Sequence, residues 1–223
     1  MQAGCQGPRL PDPCAIMSTD SGQSQRLNLM HITPLDLHGL LLLELDVHGD
    51  ERGFFVERFN LDEFKAAGLP VAFVQDNHSR SQPGVVRGLH FQHTPAQGKL
   101  VGVTRGRIFD AVLDIRPDAA TFGQTYVTEL SDMNGRLLWV PPGFAHGFTV
   151  LSDDSADLLY KVDAPYNPEG EGGIRWNDPD VGIEWPVSEP IVSARDLKMP
   201  TFESYRQSPV TFQATQPPDL RDA

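Results

Sequence analysis

Between residues 29 and 203 the chain is a succession of short apolar runs, most of them cut off by glycine or proline, and only one stretch has the makings of a helix. The whole chain carries 20 glycines and 19 prolines, so turns are frequent and long elements scarce. The stretch 109–116, FDAVLDIR, alternates cleanly, with Phe109, Ala111, Leu113 and Ile115 on one face and Asp110, Val112, Asp114 and Arg116 on the other. Residues 41–48, 72–77, 99–108, 125–130, 136–140, 148–151 and 156–162 are further strand candidates. The stretch 61–68, LDEFKAAG, is the candidate helix, with Asp62 in its first turn and Gly68 as its stop. Many short strands with almost no helix imply an all-β sandwich or barrel.

The flanks are different. Residues 1–28 are rich in Gly, Pro, Ser and Gln and hold too little apolar surface to offset the entropy of ordering, which predicts a disordered extension. From Ser204 the sequence turns rich in Gln and Pro, and 204–223 is expected to be a flexible tail. Both cysteines, Cys5 and Cys14, lie in the N-terminal flank, so the body has neither a disulfide framework nor a thiolate metal site. No basic segment leads into an apolar stretch at the start, and no apolar run approaches the roughly 18 residues of a membrane span. The expectation is a cytoplasmic protein without membrane attachment. A net charge of −12 argues against nucleic acid as a partner and requires any anionic ligand to be met by a local group of cations.

Two stretches carry the chemistry. Gly135, Pro141, Gly143 and His146 fit the second motif of cupins, small jelly-roll barrels whose motif histidine points inward. Metal-binding cupins supply His-x-His and then Glu from the first motif; here the place reads His90-Phe91-Gln92 with no following Glu. One His and one Gln make a poor first-row metal site, so no metal is expected. The stretch 84–92, GVVRGLHFQ, sets Arg87 and His90 among apolar residues. A lone histidine there is ordinarily a satisfied core residue and a lone arginine an internal ion-pair partner. With Lys99, His146 and Tyr160 on neighbouring candidate strands, the same residues could instead line a ligand cavity. Strict alternation puts residues 87 and 90 on opposite faces, and a bulge at Gly88 would bring them together.

Residues 29 to about 200 resemble the dTDP-4-dehydrorhamnose 3,5-epimerase family. The resemblance rests on GDERGFFVERFN, FVQDNHSRSQPGVVRGLHFQ, QGKLVGV, TFGQ, VPPGFAHGF, LLYKVDAPY and WNDPDVGIEWP, in the family's order. It implies a cupin jelly roll with a few short helices, a strand-exchanged homodimer, and no cofactor. It also implies inversion of C3 and C5 of a dTDP-linked 4-keto-6-deoxyhexose on the way to dTDP-L-rhamnose. Both carbons are α to the ketone, so a protein base can take their protons. By the same resemblance His90 is that base and Asp196 orients it, a pairing known from other His–Asp sites. An imidazole with a pKa of about 6.5 suits the task. Lys99 meets the developing enolate oxygen. Tyr160 returns a proton to the opposite face. Arg52, Glu57, Gln75, Asn77, Arg87, His146 and Glu171 contact substrate, the two arginines suiting the diphosphate, and Tyr166 lies near the thymine. Two departures stand out: His48 occupies a place usually held by an aromatic residue, often Phe, and Arg195 one where Lys is common.

Three other readings compete. A relative that inverts only C3 or only C5 would keep His90, Lys99 and Asp196, and the presence of Tyr160 favours the double epimerase. A non-catalytic cupin that binds nucleotide sugars would not need base, acid, lysine and aspartate together. A metal-dependent oxygenase cupin lacks its ligands here.

Overall fold

The computed structural model describes residues 30–213. The expected N-terminal extension, 1–28, and the last ten residues of the expected tail lie outside it. The body is built of β1 Met30–Pro34, β2 Leu41–Leu45, β3 Val47–Asp50, β4 Gly53–Val56, β5 Gln75–Ser81, β6 Val85–Gln92 and β7 Lys99–Arg105. These are followed by β8 Arg107–Asp114, β9 Thr125–Ser131, β10 Arg136–Val140, β11 Phe144–Val150, β12 Ala156–Val162, β13 Glu171–Gly173 and β14 Ile191–Val192. Two six-residue helices complete it, α1 Leu61–Ala66 and α2 Phe202–Gln207.

Two sheets face each other, one in the order β1-β2-β10-β7-β12-β5, the other β13-β6-β11-β8-β9 with β14 beside β6. This is the jelly-roll sandwich expected from the sequence. Apolar residues from both, including Val101, Val112, Leu138, Phe148 and Leu158, fill the space between them. Each sheet also buries part of its outer face. Leu43, Leu100 and Trp139 pack under Phe64 of α1, and Leu89, Leu113 and Ile115 pack under Phe202 and Tyr205 of α2. That double coverage explains why every residue of β11 is buried: a central strand covered on both faces has no side open to water.

Helix α1 forms where the sequence predicts one. Asp62 and Glu63 occupy its first turn, and the Asn60 side chain accepts from their backbone N–H groups. The C-terminal stretch departs from expectation. Instead of trailing off at Ser204, the chain makes α2 with Thr201 as its cap, buries Tyr205, and hydrogen-bonds Gln213 N–H to the His93 carbonyl. The Gln- and Pro-rich composition hid two aromatic anchors, Tyr205 and Phe212, which pack on the outer face of the second sheet through Phe91. Among the described residues no helix is long and apolar enough to cross a membrane.

Candidate active site

The spacing problem at Arg87 and His90 is solved in the backbone. On β11, His146 faces His90 and Phe148 faces Arg87, so three residues of β6 span the length of two on its partner. The extra residue is a bulge, and it puts Arg87 and His90 on one face, toward the space between the sheets. Gly88 makes it possible with φ of +122° and no room for a side chain: a Cβ there would lie 2.6 Å from the Gly147 Cα.

His90, Lys99 and Tyr160 converge on one cavity with two lobes. The lobe of about 250 Å³ adds Gln75, Asn77, Tyr166 and Glu171, and the lobe of about 160 Å³ adds Arg87 and His146. The three shared residues come from opposed sheets. His90 stands on β6 of one, while Lys99 and Tyr160 stand on β7 and β12 of the other. A ring lying in this cavity has an imidazole toward one side and a phenol toward the other.

His90 Nε2 lies 2.7 Å from Asp196 Oδ1. Asp196 is buried, as the N-terminal residue of a short 3₁₀ turn, Asp196–Lys198. Burial works to raise its pKa, but the His90 hydrogen bond and charge, with weaker help from the Gly88 and Ser193 hydrogen bonds, hold the carboxyl below its ordinary range. A carboxylate there accepts a hydrogen bond from Nε2–H and leaves the lone pair of a neutral imidazole on Nδ1. Lys99 Nζ lies 3.3 Å from the His90 carbonyl oxygen. Burial pushes its ammonium down to about 8, although the Glu171 and Asp110 charges pull the other way. Burial and then the Glu171 charge push Tyr160 up, against the Arg87 cation, so the phenol keeps its proton near neutrality.

At the wider lobe Glu171 accepts from Tyr166 Oη at 2.9 Å and pairs with Arg195 at 2.7 Å. Gln75 joins the Tyr166 backbone to Asn77, with hydrogen bonds of 3.1 and 2.8 Å. In the narrower lobe Arg87 is steadied by Ser81 Oγ at 3.0 Å. His146 Nε2 lies 2.8 Å from Asp110 Oδ2. Gln92, at the old metal-ligand place, is committed to backbone: its amide donates to the Pro95 and Pro165 carbonyls and its oxygen accepts from Asn167 N–H. The donor set around His90 and His146 therefore does not fit a metal.

Two expected contact residues are elsewhere. Arg52 pairs with Asp50 at the tip of the β3–β4 hairpin, beside His48 in a separate hollow of about 400 Å³, and Glu57 accepts from Asn60. Within one chain neither lines the His90 cavity. Asp110 escaped the sequence reading, although its signal was present: an acidic residue on the alternating strand that also gave Leu113 and Ile115.

Residues 34–204 match the family model described as dTDP-4-dehydrorhamnose 3,5-epimerase. The epimerase of that name from Pseudomonas aeruginosa is 49% identical over 175 residues, covering 78% of this chain and 96% of that protein. The crystal structure of a Legionella pneumophila dTDP-6-deoxy-D-glucose-3,5-epimerase in complex with dTDP-4-keto-L-rhamnose is similar with a TM-score of 0.76 and 41% identity, over 84% of this chain and 99% of that one. A dTDP-4-dehydrorhamnose 3-epimerase from Streptomyces niveus is 37% identical over 169 residues, or 75% of this chain and 81% of that protein.

Proposed function

Since the chain belongs to the dTDP-4-dehydrorhamnose 3,5-epimerase family, we propose that it inverts C3 and C5 of dTDP-4-dehydro-6-deoxy-D-glucose, giving dTDP-4-dehydro-L-rhamnose for rhamnose biosynthesis. The protein is an isomerase. The observation that carries the reading is the placement of His90 and Tyr160 on opposed sheets across one cavity. Inversion requires a base on one face of the ring and a proton donor on the other.

His90 takes a proton from a carbon α to the ketone, and the electron pair moves through the C–C bond onto the ketone oxygen. Asp196 steadies the imidazolium so formed. Lys99, a cation held ready in a partly dry site, meets the enolate oxygen. Tyr160 delivers its proton to the opposite face of the same carbon as the ketone reforms, and the second carbon follows by the same route. Arg87 and His146 receive the diphosphate in the narrower lobe, and Tyr166, Glu171, Gln75 and Asn77 hold the nucleoside in the wider one. No cofactor enters this scheme, because a ketone already acidifies both protons.

Arg52 and Glu57 reach substrate by way of a homodimer. Phe54 and Phe55 of the β3–β4 hairpin are 64% and 68% exposed, an unusual cost for two aromatic rings unless a second copy covers them. The hairpin of one protomer closes the cavity of its partner and brings Arg52 with it.

Incubation with dTDP-4-dehydro-6-deoxy-D-glucose in deuterated water, followed by NMR, tests the reading. Deuterium at both C3 and C5 with inversion at both supports it. Label at one carbon alone makes the protein a single-site epimerase, and label at neither removes the assignment.

A further inference from the structure

Asp110 has no part in the scheme above, yet it is fully buried, and its Oδ1 is a buried oxygen with no hydrogen-bond partner among the described residues. Leaving a carboxylate oxygen unmatched in the interior is costly, so its placement calls for a reason. Its other oxygen is 2.8 Å from His146 Nε2. The two sit diagonally across adjacent strands: Asp110 faces Phe148 in the ladder and His146 faces Val112. The register therefore sets both side chains on the interior face.

The consequence concerns the other nitrogen of His146. A carboxylate fixed on Nε2 holds the proton there. A neutral ring then has only a lone pair at Nδ1, which repels an anion. With a second proton, Nδ1–H becomes a donor and the ring a cation, and the half-unmatched Asp110 carboxylate is its counter-charge. We propose that Asp110 is a positioning residue that converts His146 into an imidazolium donor when the diphosphate enters, so that binding takes up a proton. The inference rests on the epimerase reading and adds to it the protonation state in which the ligand is held.

The other titratable or charged groups facing this lobe are Arg87 and His90 from β6, Lys99 from β7 and Tyr160 from β12. Lys99, at about 8, is mostly charged at pH 7, and Tyr160 keeps its proton, so neither supplies much uptake there. His90 lies beside the sugar and has its own carboxylate partner in Asp196.

The experiment is calorimetric titration of the intact protein with dTDP-glucose at pH 7 in buffers of different ionisation enthalpy. Its diphosphate is esterified at both ends and does not titrate near neutrality, so any proton taken up belongs to the protein. Wild type should take up a measurable fraction of a proton. Asp110→Asn should lose most of that uptake and bind roughly tenfold more weakly. His146→Gln, which leaves Asp110 in place, should lose it as well and guards against a folding defect in the first variant. Binding with no proton uptake by wild type, or unchanged uptake in both variants, overturns the proposal. Failure of wild type to bind dTDP-glucose at all would instead count against the epimerase reading.

Discussion

Replacing Lys99 with methionine should make the protein more stable while removing its activity. The fall of the ammonium pKa from 10.5 to about 8 means that the folded state holds this proton less tightly than the unfolded chain does. At about 1.4 kcal/mol per tenfold change, the charged lysine costs the fold about 3 kcal/mol at pH 7. Methionine escapes that cost but gives up the hydrogen bond from Nζ to the His90 carbonyl, which contributes about 1–2 kcal/mol. The net expectation is a gain of about 1–2 kcal/mol at pH 7. The sign of its pH dependence follows from linkage. Between pH 8 and 10.5 the unfolded lysine keeps its proton and the folded one has shed it, so wild-type stability gains a contribution as pH rises. The variant has no such contribution, and its advantage should shrink by about 2 kcal/mol between pH 7 and pH 10. Urea unfolding of both proteins at the two pH values reads this directly, because every other titrating group is common to them. A variant less stable than wild type at pH 7, or a difference that does not move with pH, would refute the view that burial of the Lys99 charge dominates.

Two further substitutions test other links in the argument. His90→Ala should abolish both deuterium exchange and epimerisation, whereas Tyr160→Phe, which keeps base and lysine, should still wash deuterium into the sugar while forming little inverted product; epimerisation at the wild-type rate by Tyr160→Phe would exclude it as the donor. Gly88→Ala should cost about 2–5 kcal/mol and most of kcat/KM, since the new Cβ meets the Gly147 backbone at 2.6 Å in a conformation that disfavours any side chain, and wild-type denaturation and kinetics would show that the bulge does not depend on glycine.

The class of fold was legible in the chain alone, because short alternating runs and turn residues satisfy their backbones in sheets. Strands 136–140 and 156–162 emerged with the very bounds their patterns gave. Local chemistry was also legible where it depends on neighbours in the chain, as in the acidic first turn of α1. The family resemblance singled out His90, Lys99 and Tyr160 because the motifs around them are long and rare, and it pointed to Asp196 as well; the structure sets Asp196 against His90. What pattern alone could not deliver was the facing of residues. Period-two alternation separates Arg87 from His90, and only the pairing of β6 with β11 shows the extra residue that reunites them. The same limit hid Asp110, whose meaning lies in a diagonal neighbour 36 residues away, and the seating of α2, whose composition suggests a tail until Tyr205 finds the outer face of a sheet. In each case the deciding interaction joins residues far apart in sequence, so its energy leaves no local periodic trace and exists only once the sheets have closed.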